Sequence, residues 1–248
     1  MKKLISLLSS VLLLAISNSS LAGPVLDIDF NGNQLLLGTF ESPESGASFY
    51  NYGSPNGSSA NPVYPGTSTP IELVADAAQI FAHVNTLTNE LSFGLILEKA
   101  NGSGGGTFAA DVAWSEPATL TLADDPGDNF GVVGTPASSS PIHLSFTWIN
   151  CCTDGFVLSG FDPSDLFIDL TNVTGSDLTQ VIFLSPDGPS QNLAFEFPDD
   201  QFNISIAACD PQTDPNGCVV PTVPEPAPFV LLGLALTMLG WSRRKQYS

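Results

Sequence analysis

The residues best placed for chemistry in this chain are carboxylates near its N-terminal end. Asp27, Asp29, Asn31 and Gly32 stand at positions 1, 3, 5 and 6 of the segment DIDFNG, which is how a calcium-binding loop begins. The match ends at position 12, where Gly38 replaces the bidentate glutamate that such a loop requires. One hypothesis is therefore a structural Ca²⁺ ion. The alternative is a strand with outward aspartates that runs into an Asn31-Gly32 hairpin turn.

A second candidate group is aromatic. Residues 41–70 are rich in turn-forming residues and carry Tyr50, Tyr52 and Tyr64. This composition predicts a long surface loop. Flat aromatic faces on an exposed loop can stack on sugar rings, so the three tyrosines are candidate carbohydrate contacts. The alternative is that they fasten the loop to the rest of the domain.

Signals for catalysis are weak. The chain has neither a G-x-S-x-G nor an H-E-x-x-H motif. Its two histidines, His83 and His143, lie in strand-like runs, where a structural imidazole is expected. No catalytic residue is predicted, and we expect a protein without enzymatic activity. A glycosidase is the alternative, because that reaction needs only two carboxylates.

The charge of the chain excludes one class of partner. Residues 23–223 contain 24 of the 25 acidic residues and one of the six basic residues, Lys99. Such a segment cannot neutralise phosphates, so nucleic acid is not an expected partner. Divalent cations and neutral polymers remain compatible with it.

The elements that would position these residues are predicted to be strands. VLDIDF, HLSFTWI and FNISIA alternate apolar and polar residues and are bounded by turn formers. IELVADAAQIFAHV, at 71–84, fits either a helix or two strands. We expect about a dozen short strands in one all-β domain over residues 23–220, built as an antiparallel β-sandwich, of which a jelly roll is one form.

The N-terminus predicts export. Lys2 and Lys3 precede an apolar run at residues 4–16, and small residues stand at 20 and 22. This is the pattern of a signal peptide over residues 1–22, cleaved between Ala22 and Gly23.

Export makes disulfides the expected state of the four cysteines, Cys151, Cys152, Cys209 and Cys218. Pairing Cys209 with Cys218 would leave Cys151 and Cys152 strained against each other or free. We therefore favour crossed pairs, with the other pairings still open.

The C-terminal segment 221–248 has three parts. Val223, Pro224, Glu225 and Pro226 precede an apolar run at residues 227–241, and a basic tail at 243–245 follows. As a helix, the apolar run would be a short membrane span. The basic tail consists of Arg243, Arg244 and Lys245. These cations predict a stop-transfer signal that stays in the cytoplasm.

This order closely resembles the PEP-CTERM sorting signal of Gram-negative bacteria. The resemblance implies processing by signal peptidase and by exosortase, a membrane protease that reads the motif at 223–226. It implies a stay in the inner membrane, transient or permanent, and then a place at the cell surface or in the extracellular matrix. It also implies a structural protein associated with exopolysaccharide or biofilm. The alternatives are a calcium-dependent carbohydrate-binding module and a secreted glycosidase.

Overall fold

Strands make up most of the described residues, as the alternating pattern predicts. The computed structural model describes residues 24–53, 59–98, 104–124, 134–148, 152–164 and 166–208. The strands are β1 (Val25–Phe30), β2 (Asn33–Gly38), β3 (Phe40–Ser42), β4 (Ala77–Asn85), β5 (Glu90–Leu97), β6 (Gly106–Ala123), β7 (Pro136–Trp148), β8 (Asp154–Phe161), β9 (Phe167–Ser176), β10 (Gln180–Phe183), β11 (Leu193–Glu196) and β12 (Phe202–Ala208). Helical structure among the described residues is limited to α1 (Gly46–Tyr50) and a 3-10 turn (Pro189–Gln191).

All twelve strands belong to one hydrogen-bonded sheet. Its order is β11-β10-β4-β5-β8-β6-β9-β12-β1-β2, with β3 added beside β4 and β7 beside β6. Neighbouring strands are antiparallel except that β4 pairs in parallel with β10 and with β3. The prediction of an all-β, mainly antiparallel domain is confirmed.

The sheet is curled. Phe30 in β1 packs against Phe183 in β10 and Phe195 in β11, with ring centroids 5.8 and 5.1 Å apart, although these strands lie near opposite ends of the strand order. The long strand β6 joins the two halves, because its first half pairs with β9 and its second half with β8. The larger apolar core lies between these halves and includes the buried rings of Trp114 and Phe156. The strands thus form one continuous curled sheet.

The outer face of β4, β5 and β8 is also buried. It lies under residues 43–53 and 59–76, which we call the cover segment. Helix α1 belongs to this segment and is capped at its N-terminus by Ser45, whose hydroxyl accepts the N–H of Ser48. A second apolar cluster joins Phe49 of the segment to Phe81 of β4 and Val157 of β8. The prediction of a surface loop over residues 41–70 is therefore wrong in part, because the described part of this loop packs on the sheet.

The predicted tail helix, residues 227–241, lies outside the described residues. Within the described ranges, none of the helices has the length and apolar character needed to cross a membrane.

Candidate functional site

A cleft opens where the cover segment meets the turn after β10. Its volume is about 450 Å³, within the range of small-molecule pockets. We call it the Tyr64 cleft. It is lined by Thr39, Glu41, Tyr64, Pro65, Thr67, Thr69, Pro186, Asp187, Gly188 and Pro189. The walls therefore combine one aromatic ring, three prolines, three threonine hydroxyls and two carboxylates.

Tyr64 is held in place by a tight turn of the cover segment. Its backbone N–H donates to the carbonyl of Thr69 at 3.0 Å, and its carbonyl accepts from the Thr67 hydroxyl at 2.9 Å. The ring packs against buried Phe40, with centroids 5.8 Å apart. Partial burial raises the pKa of the Tyr64 phenol above its ordinary value, so the ring stays neutral. A neutral, half-buried aromatic face is suited to stacking on a sugar ring.

Two exposed carboxylates line the Tyr64 cleft. Glu41 comes from β3, where it pairs with Val84 of β4. Asp187 comes from the turn after β10, which Asn192 stabilises by accepting the Ser185 N–H at 2.8 Å. Segments far apart in the sequence thus place hydrogen-bond acceptors in one concave surface. Such a surface can bind a ligand rich in hydroxyl or ammonium donors.

A smaller cavity of about 250 Å³ shares Tyr64 with this cleft and is bordered by Ser42. The Ser42 hydroxyl lies 2.8 Å from Nε2 of His83, a spacing at which a histidine can activate a serine nucleophile. Burial lowers the pKa of His83 to about 4, which makes the imidazole a weak base near neutral pH. Its Nδ1 has no hydrogen-bond partner among the described residues, so nothing in this part of the chain orients it as a catalytic base. We interpret the pair as a structural contact between β3 and β4.

The other two candidate tyrosines do not share the environment of Tyr64. Tyr50 is fully buried, and its hydroxyl lies 3.0 Å from Oδ2 of Asp124 and 3.2 Å from the carbonyl of Asp154. Its prediction as a carbohydrate contact is wrong, because no ring face reaches the solvent. The alternative, that an aromatic side chain fastens the segment to the sheet, is confirmed for this residue. Tyr52 is 36% exposed and does not line the Tyr64 cleft.

The predicted calcium-loop residues form a hairpin turn. Asn31 and Gly32 both have positive φ, 49° and 83°, and connect β1 to β2 with Phe30 opposite Asn33. One carboxylate oxygen of Asp29 accepts the Gly32 N–H at 2.7 Å, and the other accepts from Gln34 at 3.2 Å. The hairpin alternative is confirmed, because these bonds stabilise the turn itself.

No group of three or more His, Cys, Asp and Glu side chains lies close enough to hold a metal ion anywhere in the described ranges. The hypothesis of a calcium site at Asp27, Asp29 and Asn31 is corrected accordingly.

A third groove, of about 600 Å³, lies near the start of β5 and is mainly polar. Its lining includes Thr121 and Ser159, whose hydroxyls lie 2.9 Å apart. Glu90 and Asp162 line it as well, whereas Phe161, the one aromatic residue among its described lining residues, is buried. We call it the polar groove. Among its described lining residues, none presents an exposed ring face to a sugar.

The opposite half of the sheet carries an exposed polar cluster. His143 Nδ1 lies 2.8 Å from one carboxylate oxygen of Asp111, and the Asn172 amide donates to the other at 2.8 Å. Both hydrogen bonds lower the pKa of the Asp111 carboxyl, and the bond from Asn172 has the larger effect. The cluster lies on three neighbouring strands, β7, β6 and β9.

Several predicted sites fall outside the described residues. They are Ala22 and Gly23 of the cleavage site, Cys151, Cys209 and Cys218, the motif Val223, Pro224, Glu225 and Pro226, and the basic residues Arg243, Arg244 and Lys245. Cys152 is described and is not a free thiol. The pairing of the cysteines stays a prediction.

Sequence reasoning named Tyr64 but missed Glu41 and Asp187, its carboxylate neighbours in the cleft. The sequence around Asp187, PDGP, signals a turn, but nothing in it indicates that this turn meets residue 64. The chain matches no known family model, no curated protein and no solved structure.

Proposed function

We propose that this protein is an exported component of the cell surface or extracellular matrix that associates with polysaccharide. The Tyr64 cleft is the observation that carries the proposal. It places an aromatic ring, threonine hydroxyls and two carboxylates around a volume of about 450 Å³. Protein sites that bind sugars use this combination, because the ring contacts C–H groups while oxygen atoms bind hydroxyls. Catalysis and calcium dependence are not part of the proposal.

The strongly acidic composition supports a place outside the cell among neutral or cationic polymers. The formal net charge of the chain is −19, which disfavours contact with nucleic acids or anionic lipids. The charge also keeps the protein soluble at the high local concentration of a matrix.

We infer the route to the cell surface from the sequence patterns at the two ends of the chain. Signal peptidase would cut after Ala22, and exosortase would read the motif at 223–226 while residues 227–241 hold the chain in the inner membrane. The two prolines fix an extended backbone around Glu225 that a protease can read. The protein would then leave the membrane or remain anchored in it.

Mass spectrometry of protein from culture supernatant, matrix and membrane tests this route. We expect the chain to begin at Gly23 and to end near the motif. The Glu225→Gln variant should retain its tail and accumulate in the membrane fraction. An unprocessed wild-type tail in every fraction would contradict sorting.

Co-sedimentation with insoluble polysaccharides tests the binding function. We expect the chain to sediment with at least one of cellulose, chitin and chitosan. Tyr64→Ala should weaken this binding about tenfold, which corresponds to about 1.4 kcal/mol for the lost ring contact, whereas Tyr64→Phe keeps the ring and should bind nearly as the wild type does. Equal binding by all three proteins would contradict a role for the cleft.

A further inference from the structure

The charge distribution restricts the kind of sugar polymer that the Tyr64 cleft can bind. All 6 lysines and arginines of the chain lie outside the described residues. Among the described residues, neither Lys nor Arg lines the cleft, whereas Glu41 and Asp187 both do. The charged side chains that a ligand in this cleft meets among the described residues are therefore both negative.

Both carboxylates are available to a ligand. The side chains of Glu41 and Asp187 are exposed and make no hydrogen bond with the other described residues. An ionised carboxylate can only accept hydrogen bonds, so these two groups prefer a ligand that carries N–H donors and positive charge. The ring of Tyr64 adds to this preference, because the face of an aromatic ring attracts cations.

We propose that the Tyr64 cleft recognises an amine-bearing sugar polymer, one whose units carry protonated primary amino groups. This inference rests on the proposed polysaccharide binding and specifies the chemical class of the polymer. Each ammonium group would donate to Glu41 or Asp187 while an adjoining sugar ring stacks on Tyr64. An acidic polysaccharide is repelled, and a neutral one can donate hydroxyl hydrogen bonds to the carboxylates but gains no attraction between opposite charges.

The alternative is that the acidic surface attracts any polycation without using a particular site. The two possibilities predict different effects of removing charge at different places. A local site depends on the carboxylates of the cleft. General attraction depends only on the net charge and is lowered equally by any two neutralised carboxylates.

Isothermal titration of the full chain with three soluble probes tests the inference. The probes are an oligomer of β-linked glucosamine, its fully N-acetylated form and a glucose oligomer of the same length. We expect the glucosamine oligomer to bind about tenfold more tightly than the other two, since two exposed charge pairs contribute about 0.2–1 kcal/mol each. This advantage should shrink at high salt.

Matched double variants locate the site. Glu41→Gln with Asp187→Asn should remove most of the tenfold preference. Glu90→Gln with Asp162→Asn removes the same charge from the polar groove and should change the affinity less than about twofold. Thermal melting of both variants checks that each remains folded.

Each other outcome overturns the inference in a distinct way. Equal binding of the glucosamine and N-acetylated oligomers would refute the amine preference and leave polysaccharide binding standing. Equal losses in the two double variants would replace the site with general attraction. Absence of binding to all three oligomers and to the insoluble polysaccharides would refute the proposed function as well.

Discussion

The two halves of the curled sheet differ in what lies against their outer faces. In the covered half, eight of the nine residues of β4 are buried, since the core lies on one side and the cover segment on the other. In the open half, β12 alternates buried and exposed residues along most of its length. A strand with one face in water needs polar residues at every second position, whereas a doubly covered strand does not. The cover segment therefore determines both the strand pattern beneath it and the position of the Tyr64 cleft.

The two histidines show the same difference at the level of single side chains. Each lies 2.8 Å from an oxygen, His83 from the hydroxyl of Ser42 and His143 from the carboxylate of Asp111. His83 is fully buried and stacks on Phe49 with ring centroids 4.7 Å apart. The His143 side chain is 57% exposed. Protonation of His83 should therefore destabilise the covered half, whereas protonation of His143 should leave the open half folded.

The largest expected effect comes from crowding the covered face. A Cβ atom at Gly94 would lie 2.0 Å from the ring of buried Phe81. Gly94→Ala should lower the free energy of unfolding by about 3 kcal/mol, as overpacking does in closed cores. Urea denaturation measures the change. Gly104→Ala is the matched control, since no atom lies within 4 Å of its Cβ position, and equal losses in both variants would contradict tight packing under the cover segment.

A pH titration of stability tests the contrast between the histidines. The pKa of His83 falls from 6.5 to about 4 on folding, so between these values the unfolded chain binds more protons than the folded one. The free energy of unfolding should therefore decrease as the pH falls from about 6.5, approaching a loss of about 3 kcal/mol below pH 4.

The control for this titration is a pair of glutamine variants compared by urea denaturation at pH 7 and pH 4.5. His83→Gln should remove much of the loss between the two values. His143→Gln makes the same substitution on the open face and should lose as much stability between the two pH values as the wild type does. Equal losses of unfolding free energy in the two variants would contradict the contrast between the buried and the exposed histidine.

Tyr50→Phe tests how the cover segment is fastened. The substitution keeps the ring and removes the hydroxyl between Asp124 and the carbonyl of Asp154. Because the buried carboxylate of Asp124 loses a hydrogen-bond donor, the free energy of unfolding should fall by about 2 kcal/mol. Tyr64→Phe is the control, because its hydroxyl makes no hydrogen bond with the described residues, and it should change the melting temperature little. Similar small shifts in both variants would mean that the buried hydroxyl does not stabilise the segment.

The smallest effect is expected on the open face. Asn172 and His143 lower the pKa of Asp111 in the folded state, so the contact stabilises the fold above the ordinary carboxyl pKa and this contribution is lost as the pH falls through the lowered value. Asp111→Asn should therefore reduce the melting temperature at pH 6 by less than Tyr50→Phe does, because exposed contacts are screened by water. A larger reduction in melting temperature for Asp111→Asn than for Tyr50→Phe would contradict the view that contacts in the covered half contribute more to stability.

Local patterns predicted the class of fold and some of its turns. Alternation predicted β1 and β12, and Asn31-Gly32 predicted the hairpin after β1. The segment at 71–84 was ambiguous because β4 is covered on both faces and loses its alternation. The burial of Tyr50 depends on Asp124, 74 residues away, and the Tyr64 cleft depends on the meeting of residues 41, 64 and 187. Such contacts between distant residues leave no local sequence signal.

Hydrogen exchange with and without the glucosamine oligomer tests most directly whether the covered half carries the function. We expect slower exchange on binding in residues 63–69 of the cover segment and in the turn at 185–189, because these two segments contain most of the residues that line the Tyr64 cleft. The strands of the open half, including β9 around Asn172, should exchange at the same rate in both states. Protection of β9 or β7, with none at residues 63–69, would contradict the account.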